Sequence, residues 1–338
     1  MKEKANILNI FLFAIIGLLI AAIAFKIVNA SEKHDFIHSF KYSINNNEVY
    51  VVEYIDDLKE YEIPASVRIN NKVYPVTKIY DEAFIDSDIV NLKLPDTIDY
   101  IGEKAFYNCS SLKAVEIPYS VKYIGKNAFC NCVNVENIYY NSAFDNVTIS
   151  IEGNLFNNIG INIPVNVYIG EDVVNLPSYL FASSSKTECV HIDNVSFLGN
   201  KCTTISSNVF ENCDVKSVEF SDSVTGFGKN IFIHSSISEV YIGTGVSYLS
   251  DYMFYDCKNL QNIILPENIR IIGIRCFKNS GLISINLPKS TRYIGLSAFA
   301  DTPLQIINFN GTKDEWGKID INFSKSTEFM NAKIIYKK

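Results

Sequence analysis

Ten phenylalanines recur every 22 to 29 residues along this chain, at Phe84, Phe106, Phe129, Phe156, Phe181, Phe210, Phe232, Phe254, Phe277 and Phe299. Self-similarity at that period marks a stacked repeat, in which no unit buries its apolar face alone and neighbours build one continuous core. Aligned on the Phe, every unit is apolar five residues earlier, from Ile79, Ile101 and Ile124 through Ile151 and Leu176 to Ile272 and Ile294. The residue just before the Phe is small or aliphatic, as in Ala83, Ala105, Val209, Met253 and Cys276. These rows predict one wall of the core.

A second wall is expected twelve to fifteen residues before each Phe. Pairs such as Val115 and Ile117, Val218 and Phe220, Val240 and Ile242, and Ile285 and Leu287 alternate with polar residues, the period of a half-buried strand. Pro95, Pro118, Pro266 and Pro288 then end the strand, because proline cannot continue a ladder. A glycine four residues before the Phe (Gly102, Gly125, Gly228, Gly273, Gly295) marks the turn into the Phe segment. The fold class is therefore a mainly β solenoid, with some α/β character, of about ten units and a parallel sheet on one face. Ten strands at about 4.8 Å give a length of roughly 50 Å.

The alignment also assigns polar residues. Two positions after the Phe stand Asn108, Asn131, Asn158, Asn212, His234, Asp256 and Asn279, short side chains able to bond neighbouring backbone as a structural ladder. No acidic subset there has metal-ligand spacing. One position further, Cys109, Cys132, Cys213 and Cys257 alternate with Ser and Thr, so the slot asks for a small buried side chain, which free Cys supplies. Cys202 and Cys276 fall in apolar rows. Cys130 falls on a variable position and is expected to be exposed, and a Cys189–Cys202 bridge is left open. Cys130 and Cys132 lack the partners for a zinc site.

With four His, no HExxH, no GxSxG and no phosphate-cradling glycine loop, the chain carries no catalytic motif, and no cofactor or metal is expected. A nucleophile and base pair would have to be built around His191.

Segments such as LPDTIDYIGEKAFYNCSSLKAVEIPYSVKYIGKNAF and LPENIRIIGIRCFKNSGLISINLPKSTRYIGLSAF carry Pro, Ile-Gly, Ala-Phe and Asn-Cys together in one register. They resemble BspA-like leucine-rich repeats, the type found in many bacterial and some protozoan surface proteins. The resemblance runs from about residue 40 to the end and implies a right-handed leucine-rich-repeat coil. FKYSINNNEVYVVEYI is similar to the opening hairpin of such domains and FNGTKDEWGKI to their closing cap, with Thr312 and Glu315 spaced as a capping box and Trp316 packed on the last coil. Expected boundaries are a signal peptide or signal anchor at 1–30, an N-terminal capping segment with hairpin at 31–75, the solenoid at 76–310 and a C-terminal cap at 311–338. The repeat slips between residues 140 and 210, where spacing reaches 27, 25 and 29.

Lys2 and Lys4 precede an apolar run from Ile10 to Phe25, and Val28-Asn29-Ala30 resembles a signal-peptidase site. The run lies between a signal h-region and a spanning helix, so either a cleaved signal or an anchor through residues 7–26 fits, and both export the rest. Removing residues 1–30 takes away three Lys and one Glu, leaving 27 basic against 36 acidic residues, a net charge of −9 that disfavours nucleic acid and anionic lipid.

Function is then confined to the strand face that looks away from the core. Its row thirteen residues before the Phe reads Lys93, Glu116, Ala143, Tyr168, Phe197, Glu219, Tyr241, Ile264 and Asn286. Tyr168, Phe197, Tyr241 and Ile264, with Glu219 and Glu239 beside them, form a candidate patch for a protein or glycan on a cell or matrix surface, the adhesive role that the resemblance implies. Cross-strand aromatic pairing that only stabilises the sheet, in a passive envelope or spacer protein, is the alternative.

Overall fold

The computed structural model describes residues 39–55, 59–144, 147–149, 154–322 and 327–337. The expected signal or anchor, and Ile151, lie outside these residues. The chain winds as a parallel β-solenoid of about twelve turns with little helix. Each turn contributes to three walls.

The first wall is the expected sheet. Strands Ala114–Ile117, Asn137–Tyr140, Val165–Ile169, His191–Phe197, Asp214–Glu219 and Glu239–Tyr241 pair in parallel, and Ser284–Leu287, Ile306–Phe309 and Lys333–Tyr336 form a second parallel block. Val115, Ile138, Val167, Val218, Val240 and Ile285 point into the core. Between the blocks the chain at Gln261–Leu265 joins the sheet by a single bridge, Tyr241 to Ile264. The second wall is a run of two-residue strands such as Tyr100–Ile101, Tyr123–Ile124 and Tyr293–Ile294, whose Ile residues are the apolar row five before the Phe. Tyr100 and Tyr123 stack on its outer side with ring centroids 4.7 Å apart.

The third wall is built from turns that carry the Phe. In successive coils the backbone N–H groups of the residue two before the Phe, of the Phe, and of the residue two after it donate to the next coil, as Glu82 to Glu103, Phe84 to Ala105 and Asp86 to Tyr107. The outer two of these positions have positive φ: 59° and 58° at Glu82 and Asp86, 51° and 60° at Lys104 and Asn108, 58° and 61° at Tyr252 and Asp256. Alternating left-handed residues turn successive N–H groups along the solenoid axis, so a stretch without strand geometry still forms an inter-coil ladder.

The ten phenylalanines form one column of stacked rings, with centroids 4.9 to 5.7 Å apart. Tyr54 stacks on Phe84 at 5.5 Å and Phe329 on Phe299 at 5.1 Å, so the column exceeds the ten units counted from sequence by one ring at each end. Tyr54 ends the strand Glu48–Tyr54 of an antiparallel hairpin with Phe40–Asn45, closed by Asn46 and Asn47 at positive φ. That same strand pairs in parallel with Lys72–Ile79 and so starts the stack. At the other end Thr312 caps the short helix Lys313–Trp316 with a reciprocal bond to Glu315, and Trp316 packs 5.3 Å from Phe309. Asp320–Ile321 and Lys333–Tyr336 extend the two ladders by one further strand each.

The eight described cysteines are free and buried. Cys109, Cys132 and Cys257 each donate Sγ–H to the carbonyl of the Phe in the preceding coil, at 3.0 to 3.1 Å. Thr302 in the same slot donates to the Phe299 carbonyl of its own coil at 2.8 Å and the buried Ser280 Oγ has no partner among the described residues, so small size is the shared requirement and the bond an addition. Burial pushes the Cys257 thiol up to about 12. Cys130 is buried rather than exposed, and its thiol is likewise raised to about 11, first by burial and then by Glu188. Cys189 and Cys202 do not pair; their thiols face the carbonyls of Lys186 and Thr204.

Candidate binding surface

Parallel pairing fixes the outward row of the first wall. Glu116, Tyr139, Tyr168, Ser196, Glu219 and Tyr241 stand opposite one another in turn, and Ile264 follows through the bridge. This row corrects two positions read from the Phe spacing. Tyr139, not Ala143, precedes Tyr168, and the two rings stack at 5.1 Å. Ser196, not Phe197, lies between Tyr168 and Glu219; Phe197 is opposite Ile169, half-buried, and 6.0 Å from the Phe220 ring.

The cause is local. Six positions separate Ser196 from Cys202 where five separate the equivalent Glu219 and Val224 of the next coil, so a surplus residue in the turn after the strand shifts the count from Phe210 by one and exchanges an outward for an inward position. Upstream of it Asp193 bulges out between Ile192 and Asn194. Lys216 sits in the matching bulge of the next strand and bonds Asp193 at 3.1 Å.

Of the six residues expected to form the patch, Glu219, Glu239, Tyr241 and Ile264 come together. They line an open groove of about 740 Å³ at the place where the sheet is interrupted, along with Asn194, Ser217, Gln261 and Asn262. Tyr241 is 45% exposed and Ile264 71%. Tyr168 stands outside this groove, separated from Glu219 by Ser196, and Phe197 is turned toward the core. The amide and hydroxyl residues beside the groove were not singled out from sequence. Ser217 and Asn262 stand fifteen before the Phe and Asn194 and Gln261 sixteen before it, and Ser217 Oγ donates to Asn194 Oδ1 at 2.9 Å.

A second, smaller cleft of about 260 Å³ opens on the turn wall, lined by Lys186, His191, Asp214, His234, Ser236, Asp256 and Lys258 among others. Here His191 Nδ1 lies 2.6 Å from Asp214, and Ser236 Oγ–H donates to the same carboxylate. The carboxylate thus stands between Ser236 and the imidazole, so the His191 ring does not meet the hydroxyl as the base of a Ser–His pair would. Among the described residues no three His, Cys, Asp or Glu side chains gather as a metal site.

Asp256 is the hub of that cleft. Asn279 Nδ2–H donates to it at 2.7 Å, His234 Nδ1 lies at 2.9 Å and Lys258 at 3.3 Å. Lys186, from the irregular loop after Phe181, reaches it at 3.8 Å. Burial raises this carboxyl, but the bonds from His234 and Lys258 and the two lysine charges outweigh it and hold the group below its ordinary range. A carboxyl lowered on folding stabilises above its unfolded pKa and loses that contribution as pH falls. Asp256→Asn is therefore expected to cost roughly 1 kcal/mol or less at pH 7, the side chain being partly solvated. The deficit should close below about pH 4 in urea unfolding; a constant gap down to acid would dismiss the ion network as its source.

Elsewhere the turn-wall row carries side-chain bonds from coil to coil, with Asn108 donating to Asp86 at 2.6 Å, Asn158 to Asn131 at 2.7 Å and Asn212 to the Ser183 carbonyl at 2.9 Å.

Three walls around a ring column, one of them an uncovered parallel sheet, define a leucine-rich-repeat solenoid. The chain belongs to the BspA-type leucine-rich repeat family, whose BspA type leucine rich repeat region matches residues 77–202 and 187–305 in six copies. This is a family of repeat proteins that are generally non-enzymatic. Solved structures similar to it include a leucine-rich cell surface protein of Faecalibacterium prausnitzii, 21% identical over 87% of this chain and 99% of that one, with a TM-score of 0.35. A leucine-rich repeat protein of Bacteroides ovatus is 18% identical over 91% and 100%, with a TM-score of 0.39. The pneumococcal vaccine antigen PcpA is 16% identical over 93% and 100%, with a TM-score of 0.33. No curated protein matches the chain. Among the described residues no helix is long and apolar enough to cross a membrane.

Proposed function

We propose that this is an exported binding protein that captures a macromolecular partner on the outward sheet face, at the groove around Tyr241 and Ile264. The observation that supports it is the exposure of a tyrosine and an isoleucine side by side beside a break in the sheet, where a partner gains both apolar area and polar contacts. Export rests on the basic, apolar and small-residue succession of residues 1–30, and membrane attachment would come through residues 7–26 where these are retained. The partner class is a protein or glycan of a cell or matrix surface, and adhesion is the role that such a display serves.

Capture tests this reading. With the protein immobilised against intact cells and matrix preparations, saturable binding is expected, and the Tyr241→Ser, Ile264→Ser double variant should weaken it at least tenfold, about 1.4 kcal/mol. Both side chains are exposed, so the thermal midpoint should stay within a degree or two. Equal binding by parent and variant would remove the groove from the function, and no saturable binding at all would favour a passive spacer.

A further inference from the structure

Four outward side chains form a tight group where the sheet is interrupted. Glu219 is paired with Tyr241, Ser217 with Glu239, and Tyr241 bridges to Ile264. Neighbouring strands lie about 4.8 Å apart and residues two apart on a strand share a face. The Tyr241 ring therefore has one carboxylate across the ladder and another along its own strand.

Elsewhere on the first wall three acidic side chains find cations, Glu62 with Lys93 at 3.1 Å, Glu136 with Lys113 at 2.8 Å and Asp193 with Lys216 at 3.1 Å, while Glu116 stands without one among the described residues and without a second carboxylate opposite it. Among the described residues Glu219 and Glu239 have no such partner, although they share one groove, and Lys216 is already committed to Asp193. Two like charges held near each other without a counter-charge repel, and here they do so beside an exposed aromatic ring and an exposed aliphatic side chain.

A ligand that satisfies all four groups is a cation on an apolar stem. An ammonium or guanidinium gains from an aromatic face and from carboxylates at once, and its methylenes can lie against Ile264. Anionic partners meet repulsion from both carboxylates and from a net charge of −7 on the whole chain. A neutral glycan could use the tyrosine and the amides but would leave both charges uncompensated. Ser217, Asn194 and Asn262 line the same groove and can bond the backbone of an extended segment.

We infer that the groove takes an extended basic peptide segment of a partner protein, with a Lys or Arg side chain seated on Tyr241 between Glu219 and Glu239. The inference rests on the proposed binding function and narrows its partner to a protein with an exposed cationic stretch.

The test uses the folded protein and short fluorescein-labelled peptides alternating arginine with threonine, glutamine with threonine, or glutamate with threonine, read by anisotropy, with cellohexaose followed by calorimetry. Saturable binding of the arginine peptide alone is expected, weakened by added salt and about tenfold by Glu219→Gln with Glu239→Gln, which keep side-chain shape. Tyr241→Ser should weaken it similarly. Glu116→Gln, on the same outward row but outside the groove, should leave it unchanged, and an equal loss there would reduce the effect to general charge attraction and overturn the proposal. If the glutamine peptide or cellohexaose binds as well and depends on Tyr241, the cationic ligand is wrong while the binding function stands. Absence of groove-dependent binding of the arginine peptide overturns the inference too, and the capture experiment with Tyr241→Ser and Ile264→Ser then decides separately whether the groove binds anything.

Discussion

Phe232→Ala should destabilise the protein by about 3–5 kcal/mol, the cost of deleting a fully buried aromatic ring from a site that cannot collapse. The Phe232 ring is 0% exposed and is held between Phe210 at 5.1 Å and Phe254 at 5.4 Å, with the edge of Phe220 at 6.0 Å. Rings above and below are fixed by their own coils, whose backbone bonds run through Phe232 itself: its N–H donates to Met253, and Phe210 donates to Ile231. Relaxation into the void would have to pull these ladders out of line. In a stack where each coil touches its neighbours, the loss also weakens the interfaces on both sides, so the urea transition should broaden as well as shift. A change below about 1 kcal/mol would mean that the ring column is not the main source of cohesion.

The second large effect is expected at a glycine. A Cβ on Gly125 would sit 2.4 Å from the Glu103 nitrogen and 2.6 Å from the Gly102 carbonyl carbon, both backbone atoms of the coil before it. Gly102 stands in the same relation to the nitrogen of Asp81, at 2.5 Å. The turn leading to the Phe therefore packs backbone on backbone, and a methyl group there must push two coils apart. Gly125→Ala is expected to cost about 3 kcal/mol, at the upper end of overpacking. Gly226 provides the comparison, because its nearest neighbour to a new Cβ is a Thr204 side-chain atom at 3.8 Å, an ordinary contact. Gly226→Ala should change stability by no more than about 0.5 kcal/mol. Similar melting curves for the two variants would refute close coil approach as the reason for the glycine row.

The sequence made these features readable because the interior is periodic. Ile101, Ala105 and Phe106 have the same surroundings as Ile124, Ala128 and Phe129, so each unit is an independent statement of the same packing requirement. The rows of glycine, cysteine and asparagine follow from the same comparison. Legibility ended where periodicity did. The turn after the strand His191–Phe197 holds one residue more than its counterpart in the next coil, so counting back from Phe210 reaches Phe197 where Ser196 stands on the outward row. In the preceding irregular coil the apolar residue paired with Ile124 is Ile149, two positions earlier than the spacing implied. Outward positions suffer most from such slips, because a shift by one exchanges a core residue for a surface one. The Tyr241 end of the patch lies beyond the irregular stretch, which is why Glu219, Glu239, Tyr241 and Ile264 were placed correctly relative to one another.

The paired left-handed residues that flank nine of the ten Phe have a consequence for how such a chain can vary. Their conformation is imposed by N–H groups aimed at the next coil, and it is adopted by Glu82, Lys104, Asn127, Tyr179, Tyr252, Arg275 and Ser297 alike. Glycine or asparagine suits this backbone best, as Asn127 shows, and the other residues occupy the slot at a cost of about 1 kcal/mol each. The geometry belongs to the stack and is largely indifferent to the side chain. Each coil thereby carries positions where charge, size and aromaticity can drift over generations while the winding is kept, and a lineage can rewrite the exterior without redesigning the interior.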